Sequence, residues 1–255
     1  MTFYAEKFVV FMLVFIRTLS MFVAAPLYGN QGVPAQMKIW AGGAIAFALF
    51  PLVAAHSGTV PTDLGSLIVL ALQEVIVGSA IGYTMNVLFY AVNFAGEILG
   101  IEMGLSISSL VDPQSGVSTP VVGQFQSIVA IFIFLILNGH LFLIEALQLS
   151  YEAVPVAGLK LTGSAVNLFV HISGSVFVAA VKIGAPVIVS IFLTDVLLGI
   201  IARMVPQINV FFLGMPLTIG IGIVLLIASL PFFVVVFEKL VGSFEAQTLE
   251  LVRMM

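Results

Sequence analysis

Seven side chains in this sequence could do electrostatic chemistry in apolar surroundings: Arg17, Glu74, Glu97, Glu102, Glu145, Lys182 and Asp195 all stand within or beside hydrophobic runs. A charge at the centre of a membrane helix costs about 2.5–3.5 kcal/mol on insertion scales, so the set needs partners of opposite sign or contact with water. For Arg17, Glu145 and Lys182 the simpler reading is interhelical or intersubunit pairing that fixes an assembly. Glu74 joins them, because Glu74, Gly78 and Gly82 form one stripe suited to close helix contact. Asp195 and Arg203 are eight residues apart, about 80° around a helix, and can share one face and one neighbour. Glu97 and Glu102 leave two readings open, ion pairing or the lining of an aqueous path, because both immediately precede a polar segment.

Catalytic and ligand-binding patterns are missing from the sequence. The histidines, His56, His140 and His171, are isolated, and none stands near a carboxylate at metal-ligand spacing. No H-E-x-x-H, Walker A or G-x-S-x-G pattern occurs, and the glycine motifs follow helical runs rather than strands. The chain has no cysteine and a net charge of -4, which excludes disulfides and thiolate metal sites and gives no basic surface for nucleic acid. The expectation is a non-enzymatic protein without cofactor or metal.

The elements that carry these residues are membrane helices. The chain has 255 residues, 61% hydrophobic and 8% charged, with a mean hydropathy of +1.25, far from the quarter or so of charged residues usual in soluble domains. About six apolar runs follow one another: Phe8–Ala25, Ile39–Ala55, Leu64 through about Gly104, Val121–Leu149, Ser164–Ala202 and Val210–Phe237, then an amphipathic tail. The first is longer than a signal-peptide core, lacks an A-x-A cleavage site and reads as a retained helix. The second is marginal for crossing a bilayer alone. The third and fifth exceed a single crossing, and Pro186 predicts two half-helices meeting at a kink in the fifth. Tyr151–Gly163 reads as a loop. The sparse Lys and Arg weakly favour both ends of the chain in the cytoplasm.

Between the third and fourth runs the composition changes. Gly96, Gly100 and Gly104 recur at four-residue steps and leave a groove on one helix side where another backbone can approach. The chain then runs Gly104-Leu105-Ser106-Ile107-Ser108-Ser109-Leu110-Val111-Asp112-Pro113-Gln114-Ser115-Gly116-Val117-Ser118, in which Pro113 pushes Asp112 out of the α region and ends the helix. Irregular polar backbone at membrane depth survives only inside protein or along a water-filled cavity. Met103, at the edge of this stretch, could seal a narrow pore with its flexible thioether.

Taken together, several motifs resemble the FliR family of flagellar export-gate subunits, over nearly the whole chain. They are Arg17-Thr18 with Pro26, Val33-Pro34 and Lys38; Glu74-x-x-x-Gly78; Ala95-Gly96-Glu97 through Gly104; Asp112-Pro113; Asn138-Gly139-His140; and Arg203-Met204-x-Pro206-Gln207 with Phe211, Gly214 and Pro216. Glu102 departs from the family pattern, which more often has Gln there. The resemblance implies an all-α membrane protein of long, kinked helical hairpins, packed as one domain over 1–255 into a multi-subunit helical export gate. It implies FliP and FliQ sister subunits, FlhB at the entrance, unfolded protein cargo, and the bacterial inner membrane at the flagellar basal body. It assigns the segment from Gly104 to Pro120 to a plug in the pore, beside a pore or packing helix carrying Gly96, Glu97, Gly100, Glu102 and Met103. Arg17, Glu74, Lys182, Asp195 and Arg203 are expected as intersubunit charges. The alternatives are a small-solute secondary transporter and an injectisome export-gate subunit.

Overall fold

The computed structural model describes residues 2–29, 32–55, 61, 63–105, 121–205 and 210–255, and every regular element among them is an α-helix. In chain order these are α1 (Thr2–Ala24), α2 (Ala35–Ala54), α3 (Leu64–Glu102), α4 (Val121–Ile136), α5 (Gly139–Ala153), α6 (Gly163–Met204), α7 (Val210–Ala228) and α8 (Leu230–Met254). α1, α2, α3 and α6 are each long and apolar enough to cross a membrane, and the bent pairs α4–α5 and α7–α8 raise the number to six if each pair is one span. The chain is an all-α membrane protein.

Two helices are far longer than a bilayer requires. α3 has 39 residues and α6 has 42, about 58 and 63 Å at 1.5 Å per residue against a hydrocarbon core of about 30 Å. Pro186 lies inside α6, which remains one continuous helix and not the two half-helices that proline predicts. In apolar surroundings each lost backbone bond is expensive, so the chain gives up the one proline bond and keeps those on either side.

The breaks fall elsewhere. Asn138 adopts a left-handed φ of 59°, a conformation that asparagine tolerates better than most side chains. Its carbonyl then accepts from the Leu141 and Phe142 amides as α5 begins, and α5 leaves α4 at 63°. A second break divides Val210–Phe237, which reads as one run in sequence: α7 and α8 meet at 57°. Pro231 in the first turn of α8 has no N–H to return to α7, and the Ser229 hydroxyl donates to the Leu226 carbonyl at 2.9 Å. α2 starts at Ala35 after Pro34, one turn before its apolar run, and so gains the length to cross. α5 continues through Ala153, which puts Tyr151 and Glu152 in a helix rather than a loop.

The chain forms two compact units, residues 1–88 with 135–174 and 241–255, and residues 89–134 with 175–240. In the first, α1 and α3 cross closely: a methyl at Gly78 would overlap the Arg17 carbonyl oxygen and Ser20 Oγ, and one at Gly82 would stand 2.5 Å from the Met21 carbonyl oxygen. The stripe at Glu74, Gly78 and Gly82 thus packs against α1. In the second unit, Leu99, Met103, Val122, Val187, Ile191 and Leu226 form a buried cluster. Phe89 adds edge contacts to Phe134 and Phe237, with ring centres 5.5 and 5.9 Å away.

α3 is capped by Asp63, whose carboxylate accepts the Ser66 amide at 3.0 Å while its carbonyl accepts that of Leu67 at 3.1 Å. The Ser66 bond holds the Asp63 carboxyl below the usual carboxylate range. A depressed folded-state value stabilises the helix above the ordinary aspartate pKa, and that stabilisation is lost as pH falls through the depressed value. Asp63→Ala should therefore melt earlier than the parent protein at pH 7, with the difference narrowing near pH ~3. Thermal unfolding of the detergent-solubilised protein at the two pH values checks this, and an equal gap at both contradicts it.

Candidate functional site

The first unit is built around one ionic pair. Arg17 on α1 is fully buried, Glu74 on α3 is 1% exposed, and Arg17 Nε donates to Glu74 Oε2. Arg17 Nη1 donates to the carbonyl oxygens of Ser150 and Val154 at 3.1 and 3.0 Å, and to Ser150 Oγ at 3.1 Å. The Ser150 carbonyl, which also accepts the Val154 amide at 2.9 Å, lies in the last turn of α5 and the Val154 carbonyl just past it, where the helix dipole favours a cation. The guanidinium carbon lies 4.2 Å from the centre of the Tyr151 ring, and the Tyr151 hydroxyl donates to the Val14 carbonyl at 3.2 Å. Glu74 Oε1 accepts the Ala157 amide at 3.3 Å, and Ala157 itself takes a left-handed φ of 67°. One pair thereby joins α1, α3, α5 and the connection that follows α5. The expectation that Arg17 and Glu74 face other subunits is overturned, because they neutralise each other inside the chain.

A second constellation, in the other unit, ends α3. Gly104 has φ of 80°, the Leu105 amide donates to the Gly100 carbonyl and the Gly104 amide to that of Ile101, both at 2.9 Å. This bond pair is a Schellman cap, which satisfies terminal carbonyls and favours glycine at the left-handed position. α3 therefore stops at Glu102 through Gly104, ahead of the Asp112-Pro113 stop read from sequence. The segment from Ser106 to Ser118, with Asp112 and Pro113, lies outside the described residues.

The glycine groove finds a partner within the chain. A Cβ at Gly96 would overlap the backbone of Gly123 on α4, and near this contact the Ser127 hydroxyl donates to Asn93 Oδ1 at 2.9 Å. Gly100 is buried as well. Met103 does not stand at an open edge: it is 1% exposed and belongs to the buried cluster with Leu99 and Leu226.

The remaining charges face outward. Glu97, Glu102, Glu145, Lys182, Asp195 and Arg203 are all exposed on the chain. Arg203 sits in the last turn of α6, where the helix dipole favours it, whereas Glu102 ends α3, where the dipole disfavours a carboxylate. Glu97 and Glu102 lie about 140° apart around α3 and so do not share one narrow face. Lys182 and Asp195 stand among exposed apolar side chains, Val181, Phe192, Leu193 and Val196. Water disfavours such a surface because of its apolar area, and lipid disfavours it because of its charges.

Sequence reasoning missed Ser150, Tyr151, Val154 and Ala157 around Arg17. The signal was a buried Arg needing acceptors, but helix-end carbonyls carry no residue signature. It also missed Gly123, against whose backbone Gly96 packs.

Residues 8–244 match the family model described as bacterial export proteins, family 1. The flagellar biosynthetic protein FliR of Bacillus subtilis (strain 168) is 35% identical over 239 residues, covering 91% of this chain and 90% of the relative. That of Escherichia coli (strain K12) is 34% identical over 216 residues, covering 85% and 82%. The Aquifex aeolicus (strain VF5) protein of the same name is 28% identical over 254 residues, covering 95% and 98%.

Removing one member of a buried pair leaves an uncompensated charge, which costs about 3–5 kcal/mol. Glu74→Leu should sharply lower the amount of folded protein, and adding Arg17→Leu should recover part of it, although the Val154 carbonyl loses the Arg17 donor. Membrane protein level and heat resistance in detergent measure both. A double variant no better than Glu74→Leu alone contradicts the coupling.

Proposed function

This chain belongs to the bacterial export proteins, family 1, among the flagellar biosynthetic proteins of that family, and from that premise we propose that it is a non-enzymatic subunit of the flagellar type III secretion export gate. In this reading it sits in the bacterial inner membrane at the flagellar basal body as one membrane domain. FliP and FliQ sister subunits surround it, and FlhB lies at the entrance. Unfolded flagellar proteins cross through the channel that these subunits line, driven by other components.

Beyond family membership, the observation that carries this reading is the exposed surface of α6. Lys182 and Asp195 are exposed charges flanked by exposed apolar residues, and burial against other subunits satisfies both kinds of surface where lipid satisfies only one. Helices about twice the thickness of the hydrocarbon layer likewise suit a protein encased in protein and raised partly out of the bilayer. The 104–120 segment, rich in small and polar residues, suits a wet lumen; it obstructs the resting pore and moves aside for cargo. Glu97 and Glu102, exposed on the last turns of α3, lie next to that lumen. A secondary transporter draws less support, since α6 runs unbroken through Pro186.

Deleting part of Ser106–Ser118 in the assembled complex should make the membrane leak ions or a small dye, while the chain still co-purifies in a large hetero-oligomer. Unchanged impermeability in a fully assembled complex contradicts the plug. Purification as a monomer or dimer that binds a small solute contradicts the gate.

A further inference from the structure

Gly222 on α7 is shaped around one side chain. A Cβ built there would lie 2.6 Å from Met103 Cγ, 2.7 Å from Cε and 3.0 Å from Sδ, so the thioether occupies the volume any other residue would need. Gly220, two residues earlier on α7, has nothing within 4 Å of the corresponding position. Only one of the two glycines therefore serves as a notch. One turn before it, Thr218 is buried; its hydroxyl, 3.1 Å from the Gly214 carbonyl oxygen, also comes within 3.5 Å of the Met103 carbonyl oxygen. Leu99, Ile191 and Leu226 close the apolar cluster around the thioether. Side chain and backbone of Met103 thus both meet α7, and the next residue, Gly104, is where the chain turns out of α3.

We propose that Gly222 is a receptor for Met103 through which α7 fixes the end of α3, making Met103 and Gly222 positioning residues for the closed export path. This rests on the reading of the 104–120 segment as the obstruction. The chemistry suits a seat that must hold and release. Methionine is unbranched and has three rotatable side-chain bonds, so it can enter or leave a glycine notch without moving backbone. Dispersion contacts hold it there, and withdrawing the thioether breaks no hydrogen bond of the side chain. Any Cβ at 222 competes with the thioether for the same space.

The test uses the full complex with its partner subunits co-expressed. Peroxide oxidation of Met103, followed by peptide mass spectrometry, should be slow in the parent complex and several-fold faster in Gly222→Val; equal rates overturn the seat. Dye leakage should rise in Gly222→Val and in Met103→Ala, and fall back in the double variant, where valine refills the emptied notch. If Gly222→Val does not assemble, Gly222→Ala replaces it with the same expected direction. A deletion within Ser106–Ser118 separates the two readings. If the deletion leaks while Gly222→Val and Met103→Ala stay tight, the seat falls and the plug stands. If the deletion itself stays tight, the plug falls and the positioning role falls with it.

Discussion

A charge placed in an apolar medium must meet an opposite charge, a polar backbone group or water, and this requirement organises the protein. Inside, Arg17 answers it with a carboxylate, two helix-end carbonyls, a hydroxyl and an aromatic face. Arginine is suited to that place because its planar fork offers several fixed donors and stays charged, whereas lysine presents a single compact ammonium. Because Arg17 stands on α1 and its partners belong to α3, α5 and the stretch after α5, satisfying one guanidinium also sets the positions of three helices. The close crossing of α1 and α3 at Gly78 and Gly82 brings the pair within reach.

The same requirement, turned outward, points to function. Lys182 and Asp195 each have exposed apolar neighbours on α6, and Glu102 sits at the helix end where a carboxylate is least welcome. These features are costly in a lone chain in lipid. In the proposed assembly they would meet other subunits or a hydrated passage, so membership of an export family and the physics of the surface favour one reading. The end of α3 connects the two: its Schellman cap turns the chain at Gly104, beside a methionine seated on α7.

Much of this architecture was legible in the sequence because it depends on runs and spacing. The overlong third and fifth helices and the stripe Glu74, Gly78, Gly82 follow from apolar length and helical periodicity, whereas Val121–Leu149 reads as one run and its break at Asn138 does not show. What could not be read depended on three-dimensional pairing. The sequence shows that Arg17 needs a partner but not that Glu74, 57 residues away, is the one. Asp112-Pro113 is a strong local stop, yet Gly104 ends the helix earlier because its cap satisfies the carbonyls that the helix end exposes. Pro186 lies within a helix that continues past it, while Pro231, in the first turn of α8, accompanies a break. Met103 reads as a pore-edge residue until the notch at Gly222 is seen.

The central claim is that protein, not lipid, covers the outward charges. The chain has no cysteine, so Lys182→Cys and Asp195→Cys each create a single labelling site in native membranes containing the partner subunits. The direct measurement is whether a probe at either site cross-links to a second polypeptide or is quenched by nitroxides carried on lipid tails. Cross-linking with little quenching is the expected result; strong quenching without any cross-link contradicts it.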